Sequence, residues 1–329
     1  MSRRLSFVVP VKNDAARLER CLARIVASRR EQADIEMIVA DNGSSDGSPD
    51  IARGMGARVL SLPTLRVAEL RNRAAAETTG EFVAFVDADH EIDPGWTVAA
   101  LEVLSDESVG GAGALYASPN SSWVQAMYGV LRGRTVGRGD TLWLGSGNLV
   151  VRRSAFTSVG GFDPALEACE DVDLCQRLTA AGWRLVADER LRSVHLGDPA
   201  TLKALFRAER WRGRDNIRVS LRGRLSAREL PSLLIPIVQV AALATLTLGV
   251  LAIPIVGPDA LIVALVCALL VAALSGLRAL RMVIGGRLFN PVAMVQAFIV
   301  AATYDMARAI ALVGRAPHHR RHERAQAAA

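Results

Sequence analysis

Phe82-Val-Ala-Phe-Val-Asp-Ala-Asp89 is the stretch that decides the architecture. Its first five residues form an apolar run with β-branched and aromatic members, which reads as a strand buried on both faces. The two carboxylates that follow sit at i and i+2, and such residues point the same way while the chain is extended. Asp87 and Asp89 can therefore face one ligand at a sheet edge. Two exposed carboxylates there suit a hard divalent cation, Mg²⁺ or Mn²⁺, which itself binds a diphosphate.

Outward from this point the same grammar repeats. Residues 5–11 and 35–40 are further apolar runs, and between them Leu18, Cys21, Leu22, Ile25 and Val26 recur at helical spacing behind Asn13 or Asp14 as cap. Strands separated by helical segments predict an open, mostly parallel α/β sheet. Such sheets bind ligands beyond the carboxyl ends of their strands. Pro10-Val-Lys-Asn13 follows the first strand and Asp41-Asn-Gly-Ser-Ser-Asp-Gly47 the second. Alone, the latter is a turn, because Asn-Gly and Asp-Gly supply positive φ and Ser and Asp cap helices.

Glu170-Asp-Val-Asp173 opens a helix backed by Leu174, Leu178 and Ala181, with Gly182 as its stop. Carboxylates in a first turn are favoured by the helix dipole, which accounts for capping. The same field keeps an Asp ionised, as a general base requires. Gly160-Gly-Phe-Asp163 is a flexible approach to it. His195 follows a strand expected to start at Trp183 and run on to Val194, and beside a metal-binding Asp89 it reads as a ligand or phosphate contact.

The chain has 329 residues, 39 Lys plus Arg against 33 Asp plus Glu, a net charge of +6, 51 % hydrophobic residues and 5 % aromatics. That excludes a disordered or fibrous chain and points to a polar part joined to an apolar one. Leu230–Val256 and residues 260–277 carry no charge, and each is long enough to cross about 30 Å of hydrocarbon. Gly257-Pro258-Asp259 turns between them. A third apolar segment, 291–314, contains Asp305 and Arg308. Counting loop cations by the positive-inside rule favours a helix lying in the interface, with a third span as the alternative. Residues 201–229 hold nine cations against Glu209, Asp215 and Glu229. Their position beside a span points to lipid headgroups rather than nucleic acid. Residues 315–329 read as a basic disordered tail. Four cysteines without a CxxC pair point to a reducing compartment. The basic N-terminus with its short apolar stretch lacks the form of a signal peptide, so the polar part is expected in the cytoplasm.

The motifs Val-Val-Pro-Val-Lys-Asn, Val-Ala-Asp-Asn-Gly-Ser-Ser-Asp-Gly-Ser, Asp-Ala-Asp-His, Gly-Gly-Phe-Asp, Glu-Asp-Val-Asp-Leu-Cys-Gln-Arg-Leu and Ala-Gly-Trp-Arg, in this order, resemble the family 2 glycosyltransferases of GT-A fold. The resemblance covers roughly residues 4–200. It implies a nucleotide-sugar pocket at Pro10, Asp41, Asn42, Arg71, Asp87 and Asp173, with Asp41 on the base and Asp87 on the ribose side. Asn42 stands where many members have a second Asp. Asp89 would ligate the metal, joined by His195, while His90 replaces a third Asp. Asp171, with Glu170, resembles the catalytic base motif. Arg207-Ala-Glu-Arg210-Trp211 resembles the QxxRW or RxxRW element of membrane-bound synthases, which adds Arg210 and Trp211 to the pocket.

The resemblance thus implies an inverting transferase whose donor would be a UDP- or GDP-sugar and whose cofactor Mg²⁺ or Mn²⁺. The apolar segments and the N-terminal reading, not a motif, put it at the cytoplasmic face of the cell membrane and suggest a lipid-linked acceptor or a glycan. Two other readings stay open at this level, a non-catalytic membrane-tethered scaffold and a nucleotidyltransferase. The latter would normally carry a Gly-rich phosphate loop where Pro10-Val-Lys-Asn13 stands.

Overall fold

The computed structural model describes residues 3–28, 33–222 and 230–313. The chain divides into two compact units, Met1–Ser121 with Tyr128–Asp198, and Ser122–Met127 with Pro199–Ala329.

The first unit runs β1 (Arg3–Val11), α1 (Ala15–Ala27), β2 (Ala33–Asp41), α2 (Ser48–Gly54), β3 (Arg58–Ser61), α3 (Val67–Ala76), β4 (Phe82–Val86), β5 (His90–Ile92), α4 (Trp96–Val103) and β6 (Val109–Gly113). After α5 (Trp123–Arg132) come β7 (Arg138–Asp140), β8 (Asn148–Arg152), α6 (Arg153–Ser158), α7 (Glu170–Ala180), β9 (Arg184–Asp188) and β10 (Ser193–His195). The main sheet has the order β3-β2-β1-β4-β8-β6-β9-β7. Its first four strands are parallel, β8 is antiparallel to both β4 and β6, β9 is parallel to β6, and β7 is an antiparallel edge.

The uninterrupted apolar runs are explained by burial on both faces. Phe7 and Val9 pack with Leu18, Leu22, Ile25 and Trp96 on one side of the sheet. Val8 and Phe85 pack with Leu70, Phe156, Phe162 and Leu174 on the other. The strand order reverses around β1, and pairing of β1 with β4 ends at Val8↔Phe85. Pro10 lies beyond that point, where the missing N–H leaves no gap in the β1–β4 ladder. The crevice that opens between diverging strands is where open α/β sheets place ligands.

One expected strand is corrected. The segment from Trp183 to Val194 is two strands, β9 and β10, broken by a 3₁₀ turn at Glu189–Leu191. Asp188 caps that turn, accepting from the Arg190 amide at 3.0 Å. The break sends β10 out of the main sheet to pair antiparallel with β5, with His195 opposite His90.

The second unit contains α8 (Leu202–Arg212), α9 (Asn216–Ser220), α10 (Leu230–Val256), α11 (Pro258–Gly286) and α12 (Pro291–Val313). The last three are long and apolar enough to cross a membrane, by length and composition. Gly257, at φ +80°, ends α10, and Pro258 opens α11. Helix α11 runs well past residue 277, because Arg278 is paired rather than bare: its Nε donates to Asp305 Oδ1 at 2.8 Å. Asp305 also accepts from Ser275 Oγ at 3.1 Å, and Arg308 donates to the buried Glu209 of α8 at 2.9 Å. The end of the basic segment, with Arg224 and Arg228, and the tail at 315–329 lie outside the described residues.

Candidate active site

Two loops at the carboxyl edge of the sheet are stitched together. The Asn13 amide donates to Ser44 Oγ at 2.9 Å, Ser45 N donates to Asn13 Oδ1 at 2.8 Å, and Ala15 N donates to Asp46 Oδ2 at 2.9 Å. Asn13 takes φ +52°, a left-handed conformation that Asn tolerates. Asp41 closes β2, is buried, and accepts from Ser44 N at 3.1 Å. Asn42 Nδ2 donates to the Leu65 carbonyl at 3.0 Å, while its Oδ1 is buried without a partner among the described residues. A buried acceptor left unmade costs about 1–3 kcal/mol, so the loop is incomplete without an N–H from elsewhere.

Arg71 lies at the centre of the site. It is buried, and its Nη2 donates to Asp87 Oδ1 at 2.6 Å while Nη1 donates to Glu170 Oε1 at 2.7 Å. One guanidinium thus ties the strand-ending carboxylate of β4 to the helix-opening carboxylate of α7. Arg71 is an internal tie and not a free cation toward a nucleotide. Glu170 also accepts from Ser146 Oγ at 3.1 Å. The neighbouring Asp171 is partly exposed, with Val172 N donating to Oδ1 at 2.8 Å and Ser146 N to Oδ2 at 3.4 Å. Burial of its carboxyl, reinforced by the Glu170 charge, pushes its pKa up to about 7. Asp173 is buried and holds Arg177 Nε at 2.8 Å, one turn along the helix.

The second carboxylate of the strand-end pair meets β10. Asp89 Oδ2 lies 3.1 Å from His195 Nε2, and Arg17 Nη1 approaches it at 3.8 Å. Potential ligand atoms of Asp89, His90 and His195 lie within 4.8 Å of one another. The two imidazoles stack with centroids 4.7 Å apart, as their cross-strand register dictates. His90 Nδ1 is 2.9 Å from Ser193 Oγ. His195 Nδ1 is 2.6 Å from Asp198 Oδ1, and Asp198 is held in turn by Ser118 and Arg132. Arg132 is stacked over Tyr116 and Tyr128.

The charges follow from these contacts. Burial alone would favour neutral His195, but hydrogen bonds to Asp198 and Asp89 prevail and raise its pKa to about 9. Burial would raise Asp89, yet the hydrogen bond from His195 holds it well below the usual carboxylate range. His90 is pushed down to about 4 by burial and by the facing His195.

Two glycines let the backbone pack close against this corner. A β-carbon at Gly147 would stand 2.8 Å from Asp87 Oδ2 and 2.9 Å from His90 Nε2. One at Gly197 would stand 3.0 Å from His195 Nε2 and collide with Asp89 Oδ2. The donor set of one carboxylate and two imidazoles, with side-chain space withheld around it, fits a divalent cation.

Of the residues expected at the site, the structure gathers Asp87, Asp89, Glu170, Asp171, Arg71 and His195 in the first unit, with Pro10 near the end of β1, Asp41 at the end of β2 and Asn42 directly after it. Arg210 and Trp211 belong to α8 of the second unit. Sequence reasoning missed Asp198, Arg132, Ser118 and Ser146, which hold the site from behind, as well as Arg17 and the two glycines. Asp198 alone carried a local signal, being three residues beyond His195.

Comparison with known proteins identifies the family and the fold. Residues 83–300 match the family described as "Glycosyl transferase family group 2", and residues 6–156 match "Glycosyl transferase family 2". An N-acetylglucosaminyl-diphospho-decaprenol L-rhamnosyltransferase of Mycobacterium tuberculosis is 30% identical over 268 residues, covering 64% of this chain and 87% of that protein. Glycosyltransferase AglE of Haloferax volcanii is 26% identical over 240 residues, covering 69% and 77%. The mannosyltransferase PcManGT from Pyrobaculum calidifontis, solved with GDP-Man and Mn²⁺, superposes with a TM-score of 0.56 at 20% identity, covering 92% of this chain and 86% of that one. A glucosyl-3-phosphoglycerate synthase from Mycobacterium tuberculosis gives 0.50 at 21% identity, covering 67% and 80%. At these identities the structural likeness shows the fold alone, which is the GT-A fold that the motifs predict.

Proposed function

The chain belongs to the family 2 glycosyltransferases, and from that premise we propose that it is a membrane-anchored, metal-dependent, inverting transferase. It moves a sugar from a UDP- or GDP-sugar to a lipid-linked acceptor at the cytoplasmic face of the membrane. The observation that supports this reading is the Arg71 bridge, which ties Asp87, two residues before Asp89, to Glu170, the neighbour of Asp171.

Asp89 and His195 would hold the cation, with His90 the third donor in reach. Bound there, the ion would offset the charge that builds on the departing nucleoside diphosphate. Asp198 on the far nitrogen of His195 orients the imidazole so that Nε2 faces the ion, a common outer-shell arrangement. The carboxylate oxygen admits Mg²⁺ or Mn²⁺, and the imidazoles favour Mn²⁺.

The remaining roles belong to the protein. The buried Asn42 Oδ1 accepts an N–H of the base beside Asp41. Asp171 takes the proton of the acceptor hydroxyl, and a carboxylate raised to about 7 is matched to that task near neutral pH. Attack comes from the face opposite the leaving diphosphate, so the anomeric configuration inverts.

Support for the anchor comes from α10, α11 and α12, each of membrane-crossing length. Pairing of Asp305 with Arg278 and of Arg308 with Glu209 removes the bare charges that argued against a third span, so we read α12 as crossing with the other two. Lys203, Arg207 and Arg210 fall on one side of α8, suited to lipid phosphates, with Trp211 exposed beside them. A lipid-linked acceptor accords with the decaprenol-linked name of the rhamnosyltransferase relative. The test is nucleoside-diphosphate release from a panel of UDP- and GDP-sugars by detergent-purified protein with Mn²⁺ and membrane lipid extract. The anomeric configuration of the product, read by NMR, must be opposite to the donor's. Release of pyrophosphate, or a retained configuration, would contradict the reading.

A further inference from the structure

Two tryptophans of the first unit are used in opposite ways. Trp96 is fully buried, and its indole N–H is shared between Asn148 Oδ1 at 2.9 Å and the Leu191 carbonyl at 3.1 Å. Trp143 is 36% exposed, and its indole N–H has no partner among the described residues. The residue is not loose. Thr141 Oγ1 donates to its carbonyl at 3.2 Å, and the next side chain, Leu144, is buried in the core. A large ring is thus fixed at the surface with one polar handle unused.

Its position is set by Gly145. A β-carbon there would stand 3.2 Å from Tyr116 Cε1, 3.7 Å from Trp143 Cζ2 and 3.9 Å from Asp171 Oδ2. Gly145 does not take a left-handed backbone, so glycine is not required there by conformation. Its missing side chain lets the buried loop backbone pack close to two aromatic rings and to Asp171. Ser146 and Gly147, which follow, contact the Glu170–Asp171 pair and border Asp87. One short loop therefore faces both the base and the donor carboxylates.

We propose that Trp143, which flanks Gly145 beside Asp171, is the platform for a sugar ring of the acceptor, so that the acceptor is a lipid-linked saccharide and not a bare prenyl phosphate. The apolar C–H face of a pyranose matches an indole face, and the free N–H suits a ring hydroxyl. A phosphate would meet the wrong chemistry at this spot. Beside Gly145 the nearest charged group is the Asp171 carboxylate, while Arg132 covers the Tyr116 ring. Arg71 is paired through its Nη atoms with Asp87 and Glu170, and Arg132 with Asp198. The inference rests on the transferase reading above and names the acceptor class of the same site. In the step, the acceptor O–H breaks and its oxygen bonds to the anomeric carbon. The bond from that carbon to the diphosphate oxygen breaks with its electron pair leaving on the nucleoside diphosphate, and the proton passes to Asp171 Oδ2. The pKa of about 7 on Asp171 serves a hydroxyl nucleophile, whereas a phosphate needs no base.

The experiment compares two probes, short-chain prenyl diphosphate N-acetylglucosamine and the prenyl phosphate alone, with the donor that stabilises the protein. Wild type, Trp143→Ala and Trp143→Phe are assayed for both substrates' KM. The saccharide probe is expected to be the one used. Trp143→Ala should raise its KM at least tenfold, with the donor KM within twofold, and Trp143→Phe should restore most of the loss. Transfer to the bare phosphate, or an acceptor KM unmoved in Trp143→Ala, would overturn the proposal. A second measurement needs no turnover: the saccharide probe should quench indole fluorescence saturably in wild type and not in Trp143→Phe, and equal quenching in both would also overturn it. Wild type that binds the saccharide probe but releases no nucleoside diphosphate from any donor would instead strike at the transferase reading and leave the platform standing.

Discussion

Asp198 Oδ1 lies 2.6 Å from Nδ1 of His195, and this contact fixes which face the imidazole shows to Asp89. Asp198 is itself fully enclosed, gripped by Arg132 and Ser118. The proposed metal corner is therefore positioned from behind by a chain of polar contacts that runs from Arg132 through Asp198 to His195.

Substitution within that chain should weaken the metal without touching a ligand. Asp198→Asn should lower Mn²⁺ affinity by about 10–100-fold, the usual cost of losing an outer-shell partner. Titration of free Mn²⁺ by electron paramagnetic resonance measures it. An affinity unchanged within twofold would show that His195 is not oriented through Asp198.

As the proposed base, the Asp171 carboxyl sets the pH profile. Its pKa is raised to about 7 by burial first and the Glu170 charge second, and the base works only when deprotonated. The kcat/KM value should therefore rise with pH through about 7 and level off above it. Asp171→Asn should reduce turnover by about 10²–10⁴ and remove this limb. The same shift has a stability consequence of opposite slope. The folded protein holds a proton that the unfolded chain releases, so this group's stabilising contribution is full at acid pH and fades as pH rises toward about 7. Denaturant titrations of wild type and Asp171→Asn at several pH values separate the two effects.

Arg71 carries more than one contact's worth of stability. Its removal strands Asp87 and Glu170 as close, partly buried carboxylates. Arg71→Met should cost about 3–5 kcal/mol, in line with breaking a buried pair, and Arg71→Lys should recover only part, since an ammonium cannot span both partners in a fixed fork. Chemical unfolding checks the order wild type, Lys, Met.

Gly147 tests this corner sterically. Its backbone has no positive φ, so Gly147→Ala meets only the clash with Asp87 Oδ2 and His90 Nε2. The variant should fold, by circular dichroism, and lose Mn²⁺ and nucleotide-sugar binding together. Retention of both would mean that the ligand lies elsewhere.

Much of this site was legible because its signals are local. Asp87 and Asp89 end an apolar strand, and Glu170 and Asp171 begin an amphipathic helix, so spacing alone placed them at an edge. The alternation of strands and helices likewise announced the parallel half of the sheet. Residues that act through tertiary contacts carried no such signal. Arg71 lies 16 residues from one partner and 99 from the other, and only the packing of α3 shows it to be a tie. Strand β10 is three residues long and joins a second small sheet, so its pairing with His90 had no periodicity to reveal it. The pairing of Asp305 with Arg278 was equally hidden, because hydropathy counts charges and does not see their partners.

The central claim is one metal-dependent donor site beside one base, and thermal unfolding tests it most directly. The melting temperature is recorded for wild type, Asp89→Ala and Asp171→Ala with UDP- and GDP-sugars, each with and without Mn²⁺. The account predicts stabilisation of wild type by one donor only when Mn²⁺ is present, its loss in Asp89→Ala, and its retention in Asp171→Ala, which binds the donor but does not turn it over. Equal stabilisation of Asp89→Ala and wild type, or none by any donor with Mn²⁺, would contradict it.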